Sequence, residues 1–198
     1  MKYLYIIPGH GETEKMRKYQ KIKSLAKKLD YTPVVISVDW EGNKSIQECV
    51  RVTEKQIKHY GSTEQSTILG FSFGACILAL LLKKVSFKKA IFCSISPYFK
   101  EDMSLWPEKE AKETRKYFRG DRFAQSLMKE SFPIPTEQPV VFLVGSKEGA
   151  MCISRAQRSL DLWKGTKELF VILHANHNIG NVHYLKQLRS ILRWVCVQ

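Results

Sequence analysis

Ser66-Thr67-Ile68-Leu69-Gly70-Phe71-Ser72-Phe73-Gly74-Ala75-Cys76-Ile77-Leu78-Ala79-Leu80 changes character at its midpoint. Ile68 and Leu69 lead into Gly70 as a short apolar run, which predicts the end of a buried strand. From Ala75 to Leu82 the chain is apolar almost all round, which predicts a buried helix. Ser72 therefore falls at a strand-to-helix junction within Gly-x-Ser-x-Gly. Gly70 and Gly74 carry no Cβ, so strand and helix can turn sharply and approach closely there. A serine at such a turn exposes its hydroxyl, and the adjoining helix N-terminus favours developing negative charge.

Working outward, Tyr3-Leu4-Tyr5-Ile6-Ile7 predicts a strand that stops at Pro8-Gly9-His10-Gly11. Met16, Tyr19, Ile22, Leu25, Ala26 and Leu29 recur at helical spacing with lysines between them. Val34-Val35-Ile36-Ser37-Val38 is a second strand, and Ser45-Ile46-Gln47-Glu48 has the form of a capping box opening a helix that Gly61 ends. After the central stretch, Ala90-Ile91-Phe92-Cys93-Ser94-Ile95 is a fourth strand, broken at Pro97. Residues 98–134 read as a small helical insertion rich in aromatics, with Pro107 and Asp121 as helix starts. Val140-Val141-Phe142-Leu143-Val144 is a fifth strand, and Ser154-Arg155-Ala156-Gln157 looks like another capping box. Leu169-Phe170-Val171-Ile172-Leu173 is a sixth, followed by a helix with Val182, Leu185, Leu188, Leu192 and Val195 on its apolar face. Apolar strands alternating with helices predict a three-layer α/β/α sandwich with a six-stranded parallel sheet, in one domain spanning 1–198. Ligands in such sheets bind beyond the carboxyl ends of the strands, where His10, Gly11, Ser72, Glu148 and His177 all fall.

At 198 residues the chain can bury a sizeable core, and 44% hydrophobic residues do not suggest disorder. The apolar run from Ala75 to Leu82 is too short to span a bilayer, and the N-terminus lacks a signal-peptide core and cleavage site. Five cysteines (Cys49, Cys76, Cys93, Cys152, Cys196) without regular spacing form neither a disulfide framework nor a metal motif, so a reducing cytoplasm is expected. The net charge of +13 concentrates in residues 14–30 and in the last segment. That makes a basic face for an acidic partner such as a carrier protein, or simply a solvated lysine-rich surface. No aromatic interleaving accompanies the charge, so nucleic acid is not the expected partner.

Strand, Gly-Phe-Ser-Phe-Gly turn and helix, then an acid after a later strand, then a histidine after the last, resembles the α/β-hydrolase family. The resemblance covers nearly the whole chain, beginning at the family's third strand, so a minimal version is expected. It implies Ser72 as nucleophile, His177 as general base and Glu148 as the acid orienting it, with Glu101 or Asp102 as the alternative acid. It implies one oxyanion donor at the backbone N–H of Phe73. The second would come from the loop with His10 and Gly11, at the N–H of Glu12. Gly70 and Gly74 would shape the elbow. The implied activity is cleavage of a carboxylic ester or thioester of a small to medium acyl substrate, with no cofactor. His174 lies three residues before His177, but no third ligand has zinc-like spacing, so no metal is expected. The residues 98–134 would form a lid. The competing function is a protein that keeps this fold without catalysis and holds an acidic partner on its basic face.

Overall fold

The computed structural model describes residues 2–61, 63–133 and 137–194. Six strands form one sheet: β1 (Tyr3–Ile7), β2 (Thr32–Val35), β3 (Thr67–Phe71), β4 (Lys89–Cys93), β5 (Val140–Gly145) and β6 (Lys167–Ile172). Their order is β2-β1-β3-β4-β5-β6, and every neighbouring pair is parallel. Side chains alternate across a strand, so each strand feeds two cores. Leu4 and Ile6 face α1 (Arg17–Lys27) and α8 (Val182–Trp194), among Tyr19, Ile22, Tyr184 and Leu188. Tyr5 and Ile7 face α2 (Ile46–Tyr60), α3 (Phe73–Leu81) and α7 (Ala150–Leu162). Every residue of α3 is buried, which explains why its sequence has no polar stripe. Among the described residues no helix is long and apolar enough to cross a membrane.

The capping box at Ser45 forms: Glu48 N–H donates to the Ser45 hydroxyl, and Ser45 N–H donates to the Glu48 carboxylate at 2.8 Å. The expected second strand ends early, at Val35. At Ser37 the side-chain amide of Gln56 replaces a strand partner, bonding both the N–H and the carbonyl. The expected helix start at Ser154 is also wrong. α7 begins four residues earlier, at Ala150, because Gly149 leaves the turn after β5 already extended and aimed into the helix. Ser154 lies inside α7, where its hydroxyl accepts from Arg158 one turn on. On α8, Val182 is exposed and Tyr184 takes the buried place, while Val195 and Cys196 lie outside the described residues.

Between β4 and β5 run α4 (Lys100–Met103), α5 (Glu108–Tyr117) and α6 (Arg122–Leu127). Pro107 and Asp121 stand at the starts of α5 and α6, and Asp121 accepts from Ala124 N–H at 3.0 Å. Phe99, Phe123, Leu127 and Phe132 join the main core on the α3 side of the sheet. A buried ion pair fastens this segment to α7: Arg155, fully buried, lies 3.1 Å from the equally buried Asp102. Glu101 adds a second carboxylate at 2.9 Å, and the guanidinium sits 4.5 Å from the Phe132 ring. Arg155 Nη2 has no protein partner among the described residues, so one of its donors is unmet although two carboxylates face its charge. Asp102→Ala would leave buried Arg155 with Glu101 alone and deprive Arg158 of its carboxylate, and is expected to cost about 3–5 kcal/mol in urea unfolding. A loss below about 1 kcal/mol would show that aromatic packing alone holds the segment.

Candidate active site

Ser72 follows β3 directly and precedes α3, with φ 55° and ψ −120°. Non-glycine residues rarely occupy this region, and strain of this kind persists only where the surroundings enforce it. Two close approaches enforce it here. A Cβ on Gly70 would lie 2.6 Å from the Gly74 carbonyl oxygen, and one on Gly74 would run into the carbonyl oxygens of Ile7 and Pro8. The Ser72 N–H still donates to Cys93 O at 3.0 Å, so the turn is tied to β4 as it leaves the sheet.

The loop after β6 brings His177 to this serine, with Nε2 3.0 Å from Ser72 Oγ. His177 Nδ1 lies 2.7 Å from Glu148 Oε2, in the turn after β5. A carboxylate can only accept, so Nδ1 carries the proton and the Nε2 lone pair faces the serine hydroxyl. Glu148 is fixed in turn. Its Oε1 accepts from Gly145 N–H and from the Ser94 hydroxyl, each at 2.6 Å. Ser94 lies 2.6 Å from the Tyr184 hydroxyl, which donates to Leu143 O at 3.1 Å. Burial pushes the Tyr184 phenol well above its ordinary value, so it stays a neutral donor. The Glu148 side chain is fully buried and that of His177 is 43% exposed, so the acid is sheltered while the imidazole meets solvent at the cavity.

The loop after β1 differs from expectation. Glu12 N–H closes a turn onto Gly9 O at 3.1 Å, with Gly11 at φ 69° inside it, so it is not the free donor anticipated. β1 ends at Ile7 and the chain turns at once, from Gly9 to Glu12. The Glu12 carboxylate instead fastens the loop: it accepts from Gly9 N–H at 3.1 Å, from the buried Tyr19 hydroxyl and from the Lys18 ammonium. Gly11 is exposed and lies outside the cavity lining, whereas His10 and Phe73 both line the cavity that holds Ser72. Among the described residues neither His10 N–H nor Phe73 N–H has a protein acceptor.

No family model and no curated protein matches the chain. Solved structures do. The mouse alpha/beta hydrolase domain-containing protein 10 superposes with TM-score 0.78 at 13% identity, over 98% of this chain and 89% of that one. An esterase from Exiguobacterium antarcticum gives 0.70 at 15% identity, over 98% and 92%. RedJ, the thioesterase from the prodiginine biosynthetic pathway in Streptomyces coelicolor, gives 0.68 at 12% identity, over 98% and 85%. The chain has the α/β-hydrolase fold. The six parallel strands are shared with these proteins, and identities this low extend the likeness no further than the fold.

In this α/β-hydrolase fold, a cavity of about 350 Å³ opens over Ser72. Its walls come from the elbow (Phe73), the end of β4 (Ser96, Pro97), the inserted helices (Tyr98, Tyr117, Phe118) and α7 (Cys152). Phe73 is the hub, with ring centroids 5.2 Å from His10, 5.5 Å from Tyr98 and 5.8 Å from Phe118. The alternative acids Glu101 and Asp102 are not at His177; they hold Arg155 and Arg158. His174 is exposed at φ 62°, a strand-end turn residue facing His183. Cys152, Glu148 and His177 offer ligand atoms within 4.8 Å of one another. Glu148 and His177 are already bonded to each other, and burial raises the Cys152 thiol to about 12, which keeps it protonated. Ser94, Ser96 and Tyr184 were missed from sequence. The two serines could have been flagged by their position past a strand end, but Tyr184 reads as an ordinary buried aromatic on an amphipathic helix.

Glu12→Ala removes the clasp from Gly9, Lys18 and Tyr19. It is expected to cost about 1–3 kcal/mol in urea unfolding and to speed amide exchange across 9–12. Unchanged exchange there would show that the turn holds itself.

Proposed function

We propose that the protein is a serine hydrolase that cleaves a carboxylic ester or thioester of a small to medium acyl substrate through an acyl-enzyme. The continuous hydrogen-bonded chain Ser72–His177–Glu148, above a cavity with apolar walls, carries this reading. A serine hydroxyl is a weak nucleophile until a neutral imidazole takes its proton, and Nε2 of His177 is oriented for that transfer. As Ser72 Oγ bonds to the acyl carbon, the imidazolium is stabilised by Glu148. The carbonyl oxygen, now negative, is received by Phe73 N–H at the start of α3. We assign the second donor to His10 N–H, replacing Glu12. Loss of one such donor typically lowers rate by about 100- to 1,000-fold. His177 returns the proton to the departing alcohol or thiol, then activates the water that releases the acid.

The segment 98–134 acts in this proposal as the lid, to the extent that it supplies Tyr98, Tyr117 and Phe118 as walls; residue 134 lies outside the described residues. The structures compared include an esterase and a thioesterase, which supports this reaction class. Lys21, Lys28 and Arg189 flank a groove between α1 and α8, around Leu25 and Leu29. That half of α1 leads into β2, whose first residue pairs back to Lys2 at the amino end of the sheet. A carrier seated there would be remote from the strand ends that hold Ser72, so a free small-molecule ester or thioester is the favoured substrate.

Intact-mass spectrometry after fluorophosphonate treatment tests the proposal. Wild type is expected to gain a single adduct that is absent in Ser72→Ala and formed at least 100-fold more slowly in His177→Ala. Absence of an adduct on folded wild type would sink the enzyme reading and favour a non-catalytic binding role.

A further inference from the structure

The Ser72 hydroxyl has a second neighbour that the triad does not use. Ser96 Oγ lies 3.1 Å from Ser72 Oγ, is 4% exposed and lines the same cavity. Ser96 is anchored from both sides. Its carbonyl accepts from the buried Cys76 thiol at 3.6 Å, and the carbonyl of the next residue, Pro97, accepts from the Trp106 indole at 3.3 Å. Two residues earlier Ser94, at φ 49°, turns the chain out of β4 and toward Ser72. A buried hydroxyl held this firmly is a preorganised group.

Counting protons settles its direction. Nδ1 of His177 carries the ring proton, so Nε2 must accept and the Ser72 proton points to it. The Ser96 proton is then the one between the two serine oxygens, with Ser96 as donor and Ser72 Oγ as acceptor. We infer that Ser96 is a further catalytic residue: its hydroxyl donates to Ser72 Oγ and stabilises the negative charge that develops there during acylation. This inference rests on the serine-hydrolase reading. In the step itself, the Ser72 proton moves to His177 Nε2, an Oγ lone pair forms the bond to the acyl carbon, and the carbonyl π pair moves onto the carbonyl oxygen. Ser96 keeps its own proton throughout. In deacylation the bond between Oγ and the acyl carbon breaks as the second tetrahedral adduct collapses, and Oγ takes its proton back from His177. Ser96 stabilises the charge on Oγ there as well, so both half-reactions slow together without it.

The test is the second-order rate of fluorophosphonate labelling, with steady-state turnover of a p-nitrophenyl ester, in wild type, Ser96→Ala and Ser96→Cys. A donor to a charged oxygen predicts that Ser96→Ala lowers labelling and acylation roughly 10- to 100-fold, with KM and the thermal midpoint unchanged. The thiol is a weak donor, so Ser96→Cys falls between the two. Labelling of Ser96→Ala within twofold of wild type would overturn the inference while leaving the hydrolase reading intact. So would a loss matched by the loss of folded protein, or equal rates in the Ala and Cys variants. No labelling of folded wild type removes both.

Discussion

The arrangement depends on two backbones approaching closer than side chains allow. Where β3 meets α3, Gly70 and Gly74 let the first turn of the helix lie against the strands β3 and β1. The residue between them is thereby forced into a conformation that serine does not choose. The cost is met by a helix buried along its whole length, whose apolar surface gives the surrounding core its cohesion. A local constraint at two glycines thus raises one hydroxyl above the sheet and places it at a helix N-terminus.

Around that hydroxyl, the other strands contribute in order of their distance from β3. β4 brings Ser94 and Ser96, β5 brings Gly145 and Glu148, and the loop after β6 brings His177. The parallel sheet makes this possible because all six carboxyl ends lie on one side, so loops far apart in sequence converge. The buried Ser94–Glu148–Tyr184 cluster ties the site to α8 on one face, while Arg155 and Asp102 tie the inserted helices to α7 on the other. Groups on both faces of the sheet therefore hold the polar chain at its rim.

Much of this was legible beforehand because it follows from local chemistry. Strand and helix alternation, the elbow glycines and the Ser45 cap depend on residues a few positions apart, and the order of serine, acid and histidine along the chain is directly visible. What was misread has a common cause. The Ser154 motif satisfied a capping pattern yet lies mid-helix, since a helix start is set by where the preceding turn delivers the chain. The Glu12 N–H, expected to be free, is tied to Gly9 O, since the end of β1 at Ile7 sets where the following turn closes. Tyr184 and Ser96 meet partners 90 and 24 positions away, which no local pattern encodes.

Phe73 has two parts with different duties. Its amide begins α3 beside the serine, and its ring is the centre of the aromatic wall formed with His10, Tyr98 and Phe118. Reshaping the cavity at this residue and altering the elbow backbone are therefore not independent acts. Tyr117 ends α5 and Phe118 caps it, so a change at either reshapes the cavity and leaves the elbow backbone alone. A new side chain at position 73 must preserve both duties at once. The insertion is thus the part of the cavity wall that can vary by itself, with the elbow as the fixed point.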